Sequence, residues 1–366
     1  MGPLQGVRVL EFAGSAPTAF VATVLSGFGA DVVRVDRAAA TAAGASGPNP
    51  LNRGRRSVAI DLKSREGVET ALLLAAHADV TVEGFRPGVA ERLGIGPREA
   101  LARNPRLVYG RLSGWGQSGE WAERTAHDLA VLALTGALER DPETGAPVLP
   151  PSAYLSSFAG GGMAHVQALL AALYERSVSG QGQVVDTALS DGAALVTTLV
   201  HQWRAAPGVH TVTDAPHYAV YTCADGRHMA VAAIEPRLYQ ALLLQLDLHD
   251  APDLADRDDP EQWDLLRSQI AARFRLHDSD HWAKVFSAVD AGTVPVLSAD
   301  EAARHPQLAA RAAFLELDGA RQVAPASRFG RTPTAAPGPS PVPGEQTAAV
   351  LADWVRQPER RTTPEA

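Results

Sequence analysis

A doubly wound α/β architecture, with a parallel-sheet large domain and a small α+β domain, is the fold this chain predicts. Short β-branched runs alternate with helical segments through the first ~190 residues, the pattern of a parallel sheet with crossover helices. The strand-like pieces are bounded by glycine, and stretches of roughly 10–15 residues separate them, enough for a crossover helix. At 366 residues, 46% hydrophobic and 20% charged, the composition is that of an ordinary globular protein, and the length favours two cores over one.

Taken in order, "VRVLEFA" (7–13) reads as the first strand and "PTAFVATVLSGFGA" (17–30) as the helix after it. "DVVRVDR" (31–37), "SVAIDL" (57–62), "DVTVEGF" (79–85) and "RLVYGRLSG" (106–114) read as the second to fifth strands. "PPSAYLSSFAGGGMAHVQALLAALYER" (150–176) reads as a turn, a glycine cluster and a helix, leading to a sixth strand in "GQVVDTAL" (182–189). The alternation lapses over 195–215, and "APHYAVYTCADGRHMAVAAIEP" (215–236) then reads as two strands around the turn Ala224-Asp225-Gly226. Amphipathic helices follow. The expected organisation is a large domain over 1–195, a linker over 196–214, a small domain over 215–310, and a C-terminal segment 318–366 that completes the large domain. "TPTAAPGPSPVPG" (332–344) is a proline-rich extended linker before a last helix.

The bulk numbers also narrow the function. No apolar run approaches 18 residues, so a membrane-spanning helix is not expected. The N-terminus lacks the basic start and apolar block of a secretory signal. A single cysteine, Cys223, leaves no internal disulfide and suits the cytoplasm. A net charge of −8 without a basic block argues against a nucleic-acid or membrane partner.

The individual motifs are modest. The first βα turn, "EFAGSAPTAF", lacks G-x-G-x-x-G, which removes most support for a dinucleotide hydride enzyme. Asp36 resembles a ribose-binding acid, but Arg37 follows it and better suits an extra phosphate; a surface pair is the plainer reading. "HDSDH" (277–281) has the spacing of two metal ligands, yet zinc sites need a third, and helix capping explains the stretch. No G-x-S-x-G is present, so a nucleophile elbow is absent. His127, ahead of an apolar helix, reads on spacing alone as a capping or core residue. Glu235, ahead of a Pro-led helix, reads as an N-terminal acid favoured by the helix dipole.

Longer motifs change the picture. "GADVVRVDR" (29–37), "LNRGRRSVAIDLK" (51–63), "EGFRPGVAERLGIG" (83–96), "RLSGWGQSG" (111–119) and "GQGQVVDTALSDG" (180–192) together closely resemble the family III CoA-transferases of the CaiB/BaiF superfamily. The α-methylacyl-CoA racemase branch is the nearest match. The resemblance implies two interlocked chains in a homodimer, with active sites between the large domain of one and the small domain of the other. It implies no permanently bound cofactor and no metal, coenzyme A being part of the substrate. Arg37 and Arg92 would contact the phosphates of CoA, and Leu62, Gly84 and Phe85 would line its path. The family's histidine–aspartate pair falls on His127 and Asp128, with Ala126 in place of the usual glycine. The glutamate that supports the histidine falls on Glu235, and a tyrosine near the thioester on Tyr218.

One departure governs the chemistry. Where the family has a pattern like G-D-F-x-G-G, this chain has "SSFAGG", with Ser156 at the first glycine and Ser157 at the aspartate; Ala153 replaces an asparagine upstream. That aspartate is the nucleophile of the transferases and the second base of the racemases. A serine hydroxyl forms neither the anhydride nor the thioester that CoA transfer requires. The expectation is a racemase-like enzyme that removes the α-proton of an acyl thioester through His127, with Asp128 or Glu235 holding its tautomer. The glycine cluster is expected to supply backbone N–H groups to the enolate oxygen. One base would allow epimerisation, isomerisation or elimination; a water on Ser157, or Asp128, would serve the second face in true racemisation. The alternatives are CoA transfer or serine-dependent acyl transfer, and a non-catalytic CoA- or acyl-thioester-binding protein. A carrier-protein thioester is an open alternative to free acyl-CoA.

Overall fold

The computed structural model describes residues 2–38, 49–138, 146–148, 155–205, 212–250 and 257–356. They fall into two compact units: those up to 198 and from 311 onward form the first, and those of 199–310 the second. Ala153 lies outside the described residues.

Six parallel strands build the first unit: β1 (Arg8–Phe12), β2 (Asp31–Arg37), β3 (Arg56–Ile60), β4 (Val80–Glu83), β5 (Val108–Ser113) and β6 (Val184–Ala188). Their order in the sheet is β3-β2-β1-β4-β5-β6. This is the doubly wound α/β fold the alternation predicts, with every strand on a segment read as one. The order reverses between β1 and β4, so the connections from these strands part to opposite sides and leave a crevice at their carboxyl ends.

On one face of the sheet, α1 (Ala16–Gly27) starts at Ser15, whose hydroxyl accepts from the Thr18 amide at 3.4 Å, and Pro17 stands in its first turn. Its Val21, Ala22 and Leu25 pack against Val9, Val32 and Val82 of the strands. The other face is covered by α2 (Arg65–Ala76), α3 (Val89–Leu93), α4 (Pro97–Arg103) and the C-terminal helix Thr347–Arg356. Trp354 of that last helix is fully buried, and its indole N–H donates to Asp31 at 2.8 Å. The first face also carries α5 (Asp128–Leu134) and α6 (Met163–Ser179).

The glycine cluster departs from its expected form. Leu155–Gly162 is itself helical, wound in wide π-type turns, and runs on into α6. Against it lies α7 (Leu189–Val196). A Cβ added at Gly160 would stand 2.8 Å from the carbonyl carbon of Gly192, and one at Gly161 would stand 2.9 Å from Leu189 Cα. A Cβ at Gly192 would stand 2.3 Å from the Gly161 nitrogen. These glycines let two helices touch backbone to backbone, a packing role that the sequence reading did not foresee.

After α8 (Thr198–Ala205), the second unit has an antiparallel sheet of β7 (Tyr218–Thr222), β8 (His228–Ala232) and β9 (Thr293–Pro295), in that order. Helices α9 (Pro236–Gln245), α10 (Trp263–Phe274) and α11 (Ser279–Ser287) bury Met229, Leu242, Ile270, Phe274 and Trp282 with it. Asp278 caps α11 by accepting from the His281 amide at 2.8 Å, which accounts for the "HDSDH" stretch. The third strand was not read in the sequence because three residues carry no period. Short helices α12 (Ala299–Arg304) and α13 (Pro306–Ala310) end the unit. The hairpin of β10 (Phe314–Leu317) and β11 (Ala320–Val323) belongs to the first unit, where Arg53 donates to Gln322 at 3.0 Å. The C-terminal helix is numbered α14. No helix among the described residues is long and apolar enough to cross a membrane.

Candidate active site

A cleft of about 750 Å³ opens at the carboxyl end of the parallel sheet, where doubly wound folds bind ligands. Its walls are the residues after β1 (Gly14–Pro17), after β4 (Gly84–Pro87) and at the end of β5 (Leu112–Gly114), together with Ala122, 124–129, Ser157 and Leu189. Five of the ten predicted site residues stand together there: Gly84, Phe85, His127, Asp128 and Ser157.

Close packing explains how the walls are held. A Cβ at Gly84 would lie 2.7 Å from Ser15 Oγ and 2.6 Å from Thr18 Cγ2, so the β4 loop presses on the first turn of α1. A Cβ at Gly114 would lie 2.1 Å from the Ala126 methyl, so the end of β5 presses on the residue before His127. His127 caps α5 with extended backbone, makes no side-chain cap bond, and is exposed to the cleft side.

Asp128 is tied differently from expectation. Its Oδ1 accepts from Ser156 Oγ at 2.6 Å and from the Ser157 amide at 2.7 Å. A carboxylate thus caps the start of the 155–162 segment, where unpaired N–H groups favour negative charge. Its Oδ2 is buried with no partner among the described residues. Ser157 is 7% exposed, and its hydroxyl has no partner among them. Phe158, next along, stacks on Phe20 of α1 at 4.6 Å between ring centroids.

The remaining predicted residues lie apart from the cleft lining. Arg37 ends β2, is exposed, and has no partner among the described residues. Its neighbour Asp36 is no surface pair with it: Asp36 is buried, accepting from Ser57 Oγ at 2.7 Å and Arg34 Nε at 2.9 Å. Leu62 is half-buried against the core under α2. Arg92 lies in the last turn of α3, and its guanidinium comes within 3.1 Å of where a Cβ on Gly88 would be, which sets it beside the loop that begins at Gly84. Tyr218 and Glu235 belong to the second unit. Tyr218 begins β7 opposite Ala232, and Glu235 lies three residues past Ala232, so both stand at one end of the small sheet. Glu235 caps α9 with its backbone, and its carboxylate has no partner among the described residues.

Two arginines in the cleft wall were missed by sequence reasoning. Arg86 donates to Thr125 Oγ1 at 2.8 Å, and Arg124 lies over the Trp121 ring at 4.5 Å. Arg86 stood inside the quoted "EGFRPG" stretch and was legible there; Arg124 gave no signal until the fold placed it.

Comparison with known proteins bears on this arrangement. The sequence profile of CoA-transferase family III matches residues 4–347. The chain belongs to CoA-transferase family III. Among relatives, it is 38% identical to the alpha-methylacyl-CoA racemase of Mus musculus, covering 96% of this chain and 93% of that protein. It is 36% identical to the alpha-methylacyl-CoA racemase of Homo sapiens, over 85% and 82% of the two chains. The crystal structure of a CAIB/BAIF family protein from Brucella suis superposes with a TM-score of 0.83 at 23% identity, covering 96% of this chain and 99% of that one. Both the family and the likeness to its racemases agree with the motifs read in the sequence.

Proposed function

We propose that the protein is an acyl-thioester enolising enzyme of racemase type that works with one base. The observation that carries this reading is the cleft at the sheet's switch point, with His127, Asp128 and Ser157 in its walls beside Gly84 and Phe85. The identity to two alpha-methylacyl-CoA racemases supports an acyl-CoA as the substrate class.

In this reading His127 removes the proton at Cα. Its ring is free of cap bonds and open to a ligand, and imidazole is matched to proton transfer near neutral pH. Asp128 serves as a fixed cap and not as the second base, because Oδ1 is held by two donors at 2.6 and 2.7 Å. Ser157 offers an unengaged hydroxyl, a donor for the enolate oxygen or an anchor for water, but no basic atom for the opposite face. Arg37 and Arg92 are the phosphate contacts, Leu62, Gly84 and Phe85 line the CoA path, and Glu235 and Tyr218 keep the roles that the family resemblance implies, support of the histidine and contact near the thioester. We further infer a homodimer. The cross-strand row Val220–Ala230–Val294 supports it, for Val220 and Val294 are 62% and 59% exposed.

Incubation of the two epimers of a 2-methylacyl-CoA in deuterated water, read by mass spectrometry and chiral chromatography, tests the mechanism. One epimer should exchange its α-proton with retention, and His127→Gln should slow exchange by about 10²-fold or more. Ser157→Asp should add inversion. No α-deuterium alongside tight CoA binding would leave a binding protein, and a stable acyl adduct on Ser157 would establish acyl transfer instead.

A further inference from the structure

Behind the loop that begins at Gly84, on the sheet face covered by α2, α3 and α4, three charged residues form one cross-strand row. Glu83 on β4 pairs in register with Arg111 on β5, which pairs with Asp186 on β6. Glu83 is 1% exposed and Arg111 9%. Central strands of a parallel sheet are ordinarily apolar on both faces, and a buried ion pair is seldom the most stable choice there. Stability therefore does not account for the row.

Its hydrogen bonds do. Glu83 Oε2 accepts from the Phe85 amide at 2.7 Å, at the residue where the loop turns into the cleft. Glu83 Oε1 accepts from Arg111 Nε at 3.0 Å. Arg111 Nη2 reaches Glu91 Oε1 of α3 at 2.9 Å, and Arg92 follows directly. One buried carboxylate thus holds the amide of Phe85 and, through Arg111, the helix that carries Arg92. Neither Glu83 nor Arg111 lines the cleft.

We propose that Glu83 is a positioning residue for thioester binding: through Phe85 and the Arg111–Glu91 arm it sets the loop and α3 in register with the CoA moiety. This rests on the reading of Gly84, Phe85 and Arg92 as CoA contacts. Two variants of the full chain test it. Glu83→Gln keeps a carbonyl for the Phe85 amide but removes the charge facing Arg111. Glu91→Gln removes the charge that Arg111 meets on α3, at the arm's 44%-exposed end, where misfolding is not at issue.

Calorimetric titration with CoA, and KM and kcat of α-deuterium exchange, are the readouts. Glu83→Gln should weaken CoA about tenfold, the loss of one charge-assisted bond. Glu91→Gln should weaken it about threefold, as for a partly exposed ion pair. KM should rise in step with both, and kcat should stay within about twofold because the chemistry is untouched. Unchanged CoA affinity in Glu91→Gln and in folded Glu83→Gln overturns the proposal, as does a fall in kcat at constant KM. A wild-type chain that does not bind CoA overturns the reading of the cleft together with it, and the wild-type titration tells the two failures apart.

Discussion

Replacing Gly192 by alanine puts a methyl group where the structure has main chain. The added Cβ would stand 2.3 Å from the Gly161 nitrogen and 2.5 Å from the Gly160 carbonyl carbon, against an ordinary contact of 3.4–4 Å. Backbone on both sides cannot swing away as a side chain can, so α7 and the 155–162 segment must part by about 1 Å. Overpacking of this kind costs roughly 1–3 kcal/mol, and the upper end applies where neither wall can give. Alanine returns roughly 1 kcal/mol in helix propensity, for a net loss of about 2 kcal/mol. For a cooperative unit of this size the apo protein should melt about 4–8 °C lower by circular dichroism. Because Ser157 and its bond to Asp128 belong to the displaced segment, α-proton exchange should fall as well. An unchanged or raised melting temperature, with CoA binding lost, would refute the packing argument and return the glycines to a ligand.

Burial pushes His165 of α6 down to about 4, well below the ordinary 6.5, with Nδ1 2.8 Å from Thr187 Oγ1 and Nε2 unpartnered among the described residues. A depressed folded value means that the stability it contributes is full above pH 6.5 and is lost as pH falls toward 4, by roughly 3 kcal/mol in all. The denaturant stability of wild type minus that of His165→Met should follow this curve, and a flat difference would show that His165 takes its proton in place. Sedimentation velocity at micromolar concentration should give a dimer, with Val220→Glu shifting it toward monomer; a monomeric wild type would end that inference.

Much of the first unit was legible because its signals are local. β-Branched runs such as "DVVRVDR" fix strands, and glycine and proline punctuate them. The short β9 was invisible for the same reason: three residues carry no alternation, and its place depends on pairing with β8. Recognition of the family was equally local, since the motifs are contiguous stretches of chain.

The site was legible only in its list of residues. That His127, Asp128 and Ser157 share a wall depends on two segments roughly thirty residues apart in sequence and on glycines whose role is close approach. Asp128 illustrates the limit. In sequence it is an acid beside a histidine; in the fold it caps a helical segment by accepting from Ser156 Oγ and the Ser157 amide. Composition and motif thus determined the fold class and the family, and they put a serine and not a carboxylate at position 157, because each is written in residue identity. Tertiary structure decided which groups remain free to act, because hydrogen-bond partners and close backbone contacts join residues far apart in the chain.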